Sequence, residues 1–153
     1  MRDADTMDRI NEGIAHVHGG RQDLARSIFA DVWREVEVDG DPFHRCILAH
    51  FMADVQEDPR DELTWDLRAL AAADLLTDEC VKAHHASMSL AAFFPSLHLN
   101  VGEAYRKLGD LENARRHLRH AQRAVRALDD DGGYMTTLRG GIARLAERLE
   151  HPP

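Results

Sequence analysis

Ten histidines and two cysteines are the side chains of widest chemical reach in this 153-residue chain. Imidazole nitrogens and thiolates hold zinc when four donors converge. On a helix they can share a face only at spacings of three or four. Cys80 and His84 are four apart, and His117 and His120 are three apart. His16 and His18, two apart, point to different sides. These are pairs and not a set of four, and the Glu-x-x-His motif of helix-bundle carboxylate sites does not occur. The histidines therefore read as solvated or core-edge residues, with no metal and no cofactor. Ser87 and Ser89 lie near His84 and His85 in sequence. No G-x-S-x-G, phosphate-loop or dinucleotide glycine pattern accompanies them, so a protein without catalytic activity is expected. Cys46 and Cys80 both fall in helical patterns and read as buried, reduced thiols.

Binding chemistry is better represented. Arg116, Arg119, Arg123 and Arg126 follow one another at i, i+3, i+7 and i+10. That spacing lays four guanidinium groups along one face of a helix, opposite an apolar face of Ala114, Leu118, Ala121, Val125 and Leu128. The stripe reads either as a solvated face answered by scattered carboxylates or as a surface for an acidic partner. Charge is uneven along the chain. Asp31 to Glu79 holds 14 acidic and 4 basic residues, whereas Arg106 to Arg126 holds 7 basic and 2 acidic. The whole chain is at −8, which disfavours nucleic acid as the partner.

The elements that must carry these groups are helical. Ala, Leu, Arg, Glu and Asp are plentiful and β-branched residues sparse, a mix that favours helix. No apolar run approaches the ~18–20 residues of a membrane span. The acidic, polar N-terminus is unlike a signal or transit peptide, so a cytoplasmic protein with no membrane contact is expected. Periodicity predicts helices over Asp5–Val17, Gln22–Val36, from Pro42 to about Val55, Arg60–Leu75, Glu79–Phe93, Leu111–Leu128 and Tyr134–Leu149. Another should open at Pro95 and end at Gly109, because the residue before a proline avoids the α region. Leu63, Leu67, Leu70 and Ala71 read as the inward stripe of the fourth helix, and Leu24 as an inward residue of the second. Gly140-Gly141 inside the last helix suggests close helix–helix approach. A single domain over residues 1–153 is expected, with hairpins at about 5–37, 42–76 and 95–128, an extra helix at 79–93 and a C-terminal cap at 134–150.

The chain also repeats itself. Ile10-Asn11-Glu12-Gly13-Ile14-Ala15-His16 aligns with Leu99-Asn100-Val101-Gly102-Glu103-Ala104-Tyr105. At the same offset of 89, without a gap, Gly20 falls on Gly109, Ala25 on Ala114 and Arg26 on Arg115. Two helices with one apolar face each cannot bury both faces alone, and stacking pairs into an array solves this.

Within the 34 residues Pro95–Leu128, the positions Val101-Gly102, Tyr105, Gly109, Ala114, Leu118 and Ala121 resemble the pattern of the tetratricopeptide repeat family. His98 stands in place of the family's large aromatic residue and Arg126 in place of its closing proline. The resemblance implies an all-α superhelix of antiparallel hairpins and a non-catalytic adaptor that binds a protein or peptide. The first helix of each hairpin would line a concave groove through Ile10, Asn11, Ile14, Leu99, Asn100, Glu103 and Arg106. Two alternatives stand beside this reading: a His-rich helical metalloprotein or small enzyme, and a self-associating oligomer that pairs its acidic and basic regions.

Overall fold

The computed structural model describes residues 2–83, 90–128 and 132–151. Among the described residues all regular structure is helical. In chain order the helices are α1 (Arg2–His18), α2 (Gln22–Val36), α3 (Pro42–Asp54), α4 (Pro59–Ala73), α5 (Asp78–Ala83), α6 (Leu90–Lys107), α7 (Leu111–Arg126) and α8 (Gly133–Glu150). They fall into two compact units, Met1–Leu75 and Leu76–Pro153.

In the N-terminal unit α1 and α2 form a hairpin, α3 packs on both, and α4 lies against α3. The core is Ile10 of α1, Ala25, Phe29, Val32 and Val36 of α2, and Leu48, Met52 and Val55 at α3. Local chemistry fixes the helix starts. Asp41 accepts a hydrogen bond from the Phe43 amide (2.8 Å) and Asp58 from the Arg60 amide (2.9 Å). Each is followed by a proline at the first helical position, where the missing N–H costs nothing. The buried residues of α4 are Asp66, Ala69, Ala72 and Ala73. The leucine stripe expected to face inward does so only in part: Leu63 and Leu70 are half-buried, while Leu67 is 37% exposed and Ala71 is exposed. Cys46, Ala49 and Ala53 of α3 are likewise small and buried, and small residues let α3 and α4 approach closely, so the alanine face of α4 turns in. Leu24 also departs from its expected place and is exposed.

The C-terminal unit repeats the first three helices of this plan. α6 and α7 form the hairpin and α8 packs on both. Its core joins Ala114, Leu118, Ala121 and Val125 of α7 to Met135, Leu138, Ile142, Leu145 and Leu149 of α8, which is the α8 face the periodicity predicts. Gly141 meets Leu99 of α6: a Cβ there would lie 2.8 Å from Leu99 Cδ2. Thr77 Oγ1 accepts from the Cys80 amide at the start of α5, as its capping pattern suggests. How far that helix runs toward Phe93 lies outside the described residues. Pro95 does not open α6 but lies inside it, fully buried. The proline removes one helical donor, and burial of its ring in the core offsets that loss. The Ser96 hydroxyl donates to the Phe93 carbonyl (2.7 Å) in the same turn.

The 89-residue offset extends to hydrogen bonds. Gly20 and Gly109 have φ of 78° and 82°. In the first turn Gly20 N donates to Val17 O and Arg21 N to His16 O. In the second, Gly109 N donates to Arg106 O and Asp110 N to Tyr105 O. Each pair is the same Schellman closure, which needs a residue that tolerates positive φ. One helix further on, Arg26 donates through Nε to the Val55 carbonyl at the end of α3 (3.1 Å), and Arg115 donates through Nη2 to the Leu149 carbonyl at the end of α8 (3.1 Å). An arginine in the second helix thus satisfies a terminal carbonyl of the third in both units.

Gly13 and Gly102 are both buried, but a methyl group would meet different neighbours. At Gly13 it would lie 2.3 Å from the Phe29 ring, which is fixed in the core; at Gly102 the nearest atom is Leu145 Cδ2 at 3.0 Å. Gly13→Ala should therefore lower stability by about 1–3 kcal/mol, and Gly102→Ala by clearly less. Urea denaturation of the two variants checks the order, and equal losses would contradict the packing described.

Candidate functional site

The residues anticipated to line a groove take three different roles. Ile10 must be corrected: it is fully buried against Phe29 and its neighbours, so α3 has claimed it for the core and it cannot touch a partner. Ile14 is half-buried against the same core, and Asn11 is exposed. On α6, Leu99 packs toward α8, while Asn100 is partly buried. Glu103 accepts from Arg106 Nε (3.0 Å) and from Arg148 Nη1 of α8 (2.9 Å). Glu103 and Arg106 therefore form one small ion network that ties α6 to α8, and Arg148, which the sequence reading left out, completes it.

The arginine stripe has the opposite character. Arg116, Arg119, Arg123 and Arg126 are all exposed along α7. Among the described residues none of them is ion-paired. Six arginines elsewhere find carboxylates, Arg9 with Glu35, Arg26 with Asp23, Arg34 with Asp31, Arg60 with Asp58, and Arg106 and Arg148 with Glu103, while Arg21 and Arg115 bond to His16 and to the Leu149 carbonyl instead. Among the described residues no carboxylate stands at ion-pair distance from the stripe, although hydrogen bonds from Asn113 first, and the Arg116 charge after them, lower the Asp110 pKa. Among the described residues the bonds of its arginines stay within α7, Arg123 to His120 Nδ1 (3.2 Å) and Arg126 Nε to the Gln122 carbonyl (3.3 Å). Beside the stripe, between α7 and α8, lies an open groove of about 420 Å³. Gln122, Val125 and Arg126 line it from one side, and Arg139, Ile142 and Ala143 from the other.

A histidine cluster lies on the same hairpin. His98 Nδ1 and His117 Nδ1 are 3.0 Å apart, with ring centroids 5.2 Å apart. The centroid separation exceeds the nitrogen separation by nearly two ring radii, so the rings meet edge to edge with their nitrogens in line. One Nδ1 donates its proton and the other accepts it. His120 stacks on His98 (4.9 Å) and Tyr105 on His117 (5.7 Å). The Nδ1 atoms of His98 and His117 are taken up by one another, and among the described residues no set of three His, Cys, Asp or Glu is placed to hold a metal. The cluster can carry one additional proton and keep its bond; a second would set two N–H groups head to head. Burial, then His98, Arg116 and His120, push the His117 pKa down to about 4. Burial first, then Arg123 and its arginine neighbours, also lower that of His120.

The other reactive residues are quiet or out of view. Burial pushes the Cys46 thiol up to about 12, so it stays protonated. Cys80, expected to be buried, is partly exposed, and His84, four residues on, lies outside the described residues, as do His85, Ser87 and Ser89. In the N-terminal unit a cleft of about 540 Å³ is lined by Asp5, Glu35, Asp39 and Asp41 together with His44. Glu35 is held by Arg9 there, and Asp41 caps α3. No helix of the described residues is long and apolar enough to cross a membrane. No protein-family model, curated protein or solved structure matches the chain.

The lowered pKa of His117 has a defined sign. Neutral His117 is favoured in the folded state, so its contribution is complete above the unfolded value near 6.5 and is lost as pH falls toward about 4. The loss should reach roughly 2–3 kcal/mol. His50, whose pKa burial also lowers, adds to the same limb. His117→Gln should flatten the decline in stability between pH 6.5 and 4, read from urea midpoints across that range. A slope identical to that of the wild type would refute the assignment.

Proposed function

We propose that the chain is a non-catalytic, cytoplasmic adaptor of tetratricopeptide type, whose stacked hairpins form a superhelix that presents surfaces to a protein or peptide. The observation that carries this reading is the repeated construction. Both units place a helical hairpin, closed by the same glycine turn, beneath a third helix whose end is held by an arginine at the equivalent position. A scaffold that reuses one packing solution keeps its helices fixed while the surface residues vary, and such arrays typically act by binding. In this reading Asn11, Ile14, Asn100, Glu103 and Arg106 contribute the accessible part of the groove. Ile10 and Leu99 support it from below.

Affinity purification from the source cells with chemical cross-linking and mass spectrometry tests the proposal. A protein partner should be recovered at near-stoichiometric level, cross-linked to the first helices of the hairpins. It should be lost with the double substitution Asn11→Arg and Arg106→Glu, in a protein whose helicity by circular dichroism is unchanged. Recovery of no partner, or retention of the partner by the substituted protein, would contradict groove binding.

A further inference from the structure

The two units differ in what lies over the seam between the second and third helices. In the N-terminal unit that seam is covered. Trp33 of α2 meets Trp65 of α4 edge to face, with centroids 4.9 Å apart at 82°, and the Arg68 guanidinium lies over both rings. α4 thus reaches α2 while packing along α3.

The 89-residue register identifies the same place in the C-terminal unit. Phe29, Val32 and Val36 of α2 correspond to Leu118, Ala121 and Val125 of α7, and all six are buried. Trp33 therefore corresponds to Gln122. Gln122 and Val125 line the α7–α8 groove, and nothing in the described residues plays the part of α4 there. Its floor is apolar, from Val125, Ile142 and Ala143, and its rim carries Arg126 and Arg139. Along one edge run Arg116, Arg119 and Arg123, exposed and without ion pairs among the described residues.

We propose that this groove is a docking site for an amphipathic helix with an acidic face, supplied by a partner protein and occupying the place that α4 fills in the N-terminal unit. The occupant is a helix because a helix covers the equivalent seam. It is acidic because Arg116, Arg119, Arg123 and Arg126 line up on one exposed face with no ion pair among the described residues. It is amphipathic because a groove of about 420 Å³ with an apolar floor accepts apolar side chains, which a bare polyanion lacks. The site lies on α7 and α8 and does not depend on the groove of the first helices, so either reading can fail while the other stands.

Fluorescence anisotropy with three labelled peptides of about 18 residues tests it, since that length suffices for a helix. The first carries Leu at i, i+3, i+4 and i+7 with Glu elsewhere; the second has Lys for Glu; the third keeps Glu but has Ser for Leu. A single-stranded RNA of 20 nucleotides is the fourth probe. Only the first peptide should bind, at least about tenfold more tightly than any other probe, and its binding should weaken with salt. Arg119→Glu with Arg123→Glu should weaken it by roughly tenfold or more. Ala143→Trp, at an exposed position that fills the groove, should abolish it while leaving the melting temperature in place. Failure of the first peptide to bind, equal binding by the third peptide or the RNA, or full binding to the Ala143→Trp protein would each overturn the proposal. So would a concentration-dependent dimer in sedimentation that Ala143→Trp dissolves, because the occupant would then be a second copy.

Discussion

Each unit rests on one constraint: two antiparallel amphipathic helices bury their facing sides but leave a seam open along one edge. In both units a third helix closes that seam, and the devices that make closure possible recur. A glycine at positive φ reverses the chain between the first two helices at an angle that leaves the seam accessible. A buried glycine in the first helix lets a neighbour approach closely, Phe29 of the second helix in one unit and Leu145 of the third helix in the other. An arginine of the second helix then reaches the last turn of the third and satisfies a carbonyl that would otherwise need water. The apolar residues of α2 and α7 supply burial, at roughly 1.5–3 kcal/mol for each large side chain. These three devices decide where that burial occurs.

Electrostatics divide along different lines from packing. Most arginines with an assigned partner are held by carboxylates in sequence or across a helix pair, and an exposed pair of that kind contributes at most about 1 kcal/mol. Arg116, Arg119, Arg123 and Arg126 of α7 have no such pair among the described residues. Burial first, and the neighbouring arginines after it, disfavour the protonated forms of His117 and His120. The cluster of His98, His117 and His120 thus joins hairpin packing to proton concentration. The basic surface, the acid-sensitive contact and the apolar groove all lie on the C-terminal unit.

Much of this was legible in the chain itself. The period of apolar residues and the flanking glycines place α2 at Gln22–Val36, the bounds the structure has. The ungapped 89-residue match anticipates two equivalent turns, and both are present down to their hydrogen bonds. What escaped was set by neighbours rather than by the segment. Ile10 and Leu99 are equivalent by alignment, but α3 buries the first completely and α8 covers the second only in part. α4 offers a leucine face and an alanine face, and the small residues of α3 select the alanines. Pro95 reads as a helix start because local sterics favour that, while core burial of its ring carries the helix through it. The exposed arginine face was readable from spacing. That its arginines have no ion pair among the described residues is a fact about distances, and so is the junction of His98 with His117.

The Trp33–Trp65 contact also has an optical meaning. The chain contains two tryptophans, and both stand in that single edge-to-face pair. Indole emission from the intact protein therefore reports on the seating of one helix in the N-terminal unit, whatever the rest of the chain does. The C-terminal unit holds both tyrosines, Tyr105 and Tyr134, but no indole, so it is silent when only tryptophan is excited. The two units can thus be followed separately in one sample, the first by its native fluorescence and the second by a tryptophan brought into it from outside.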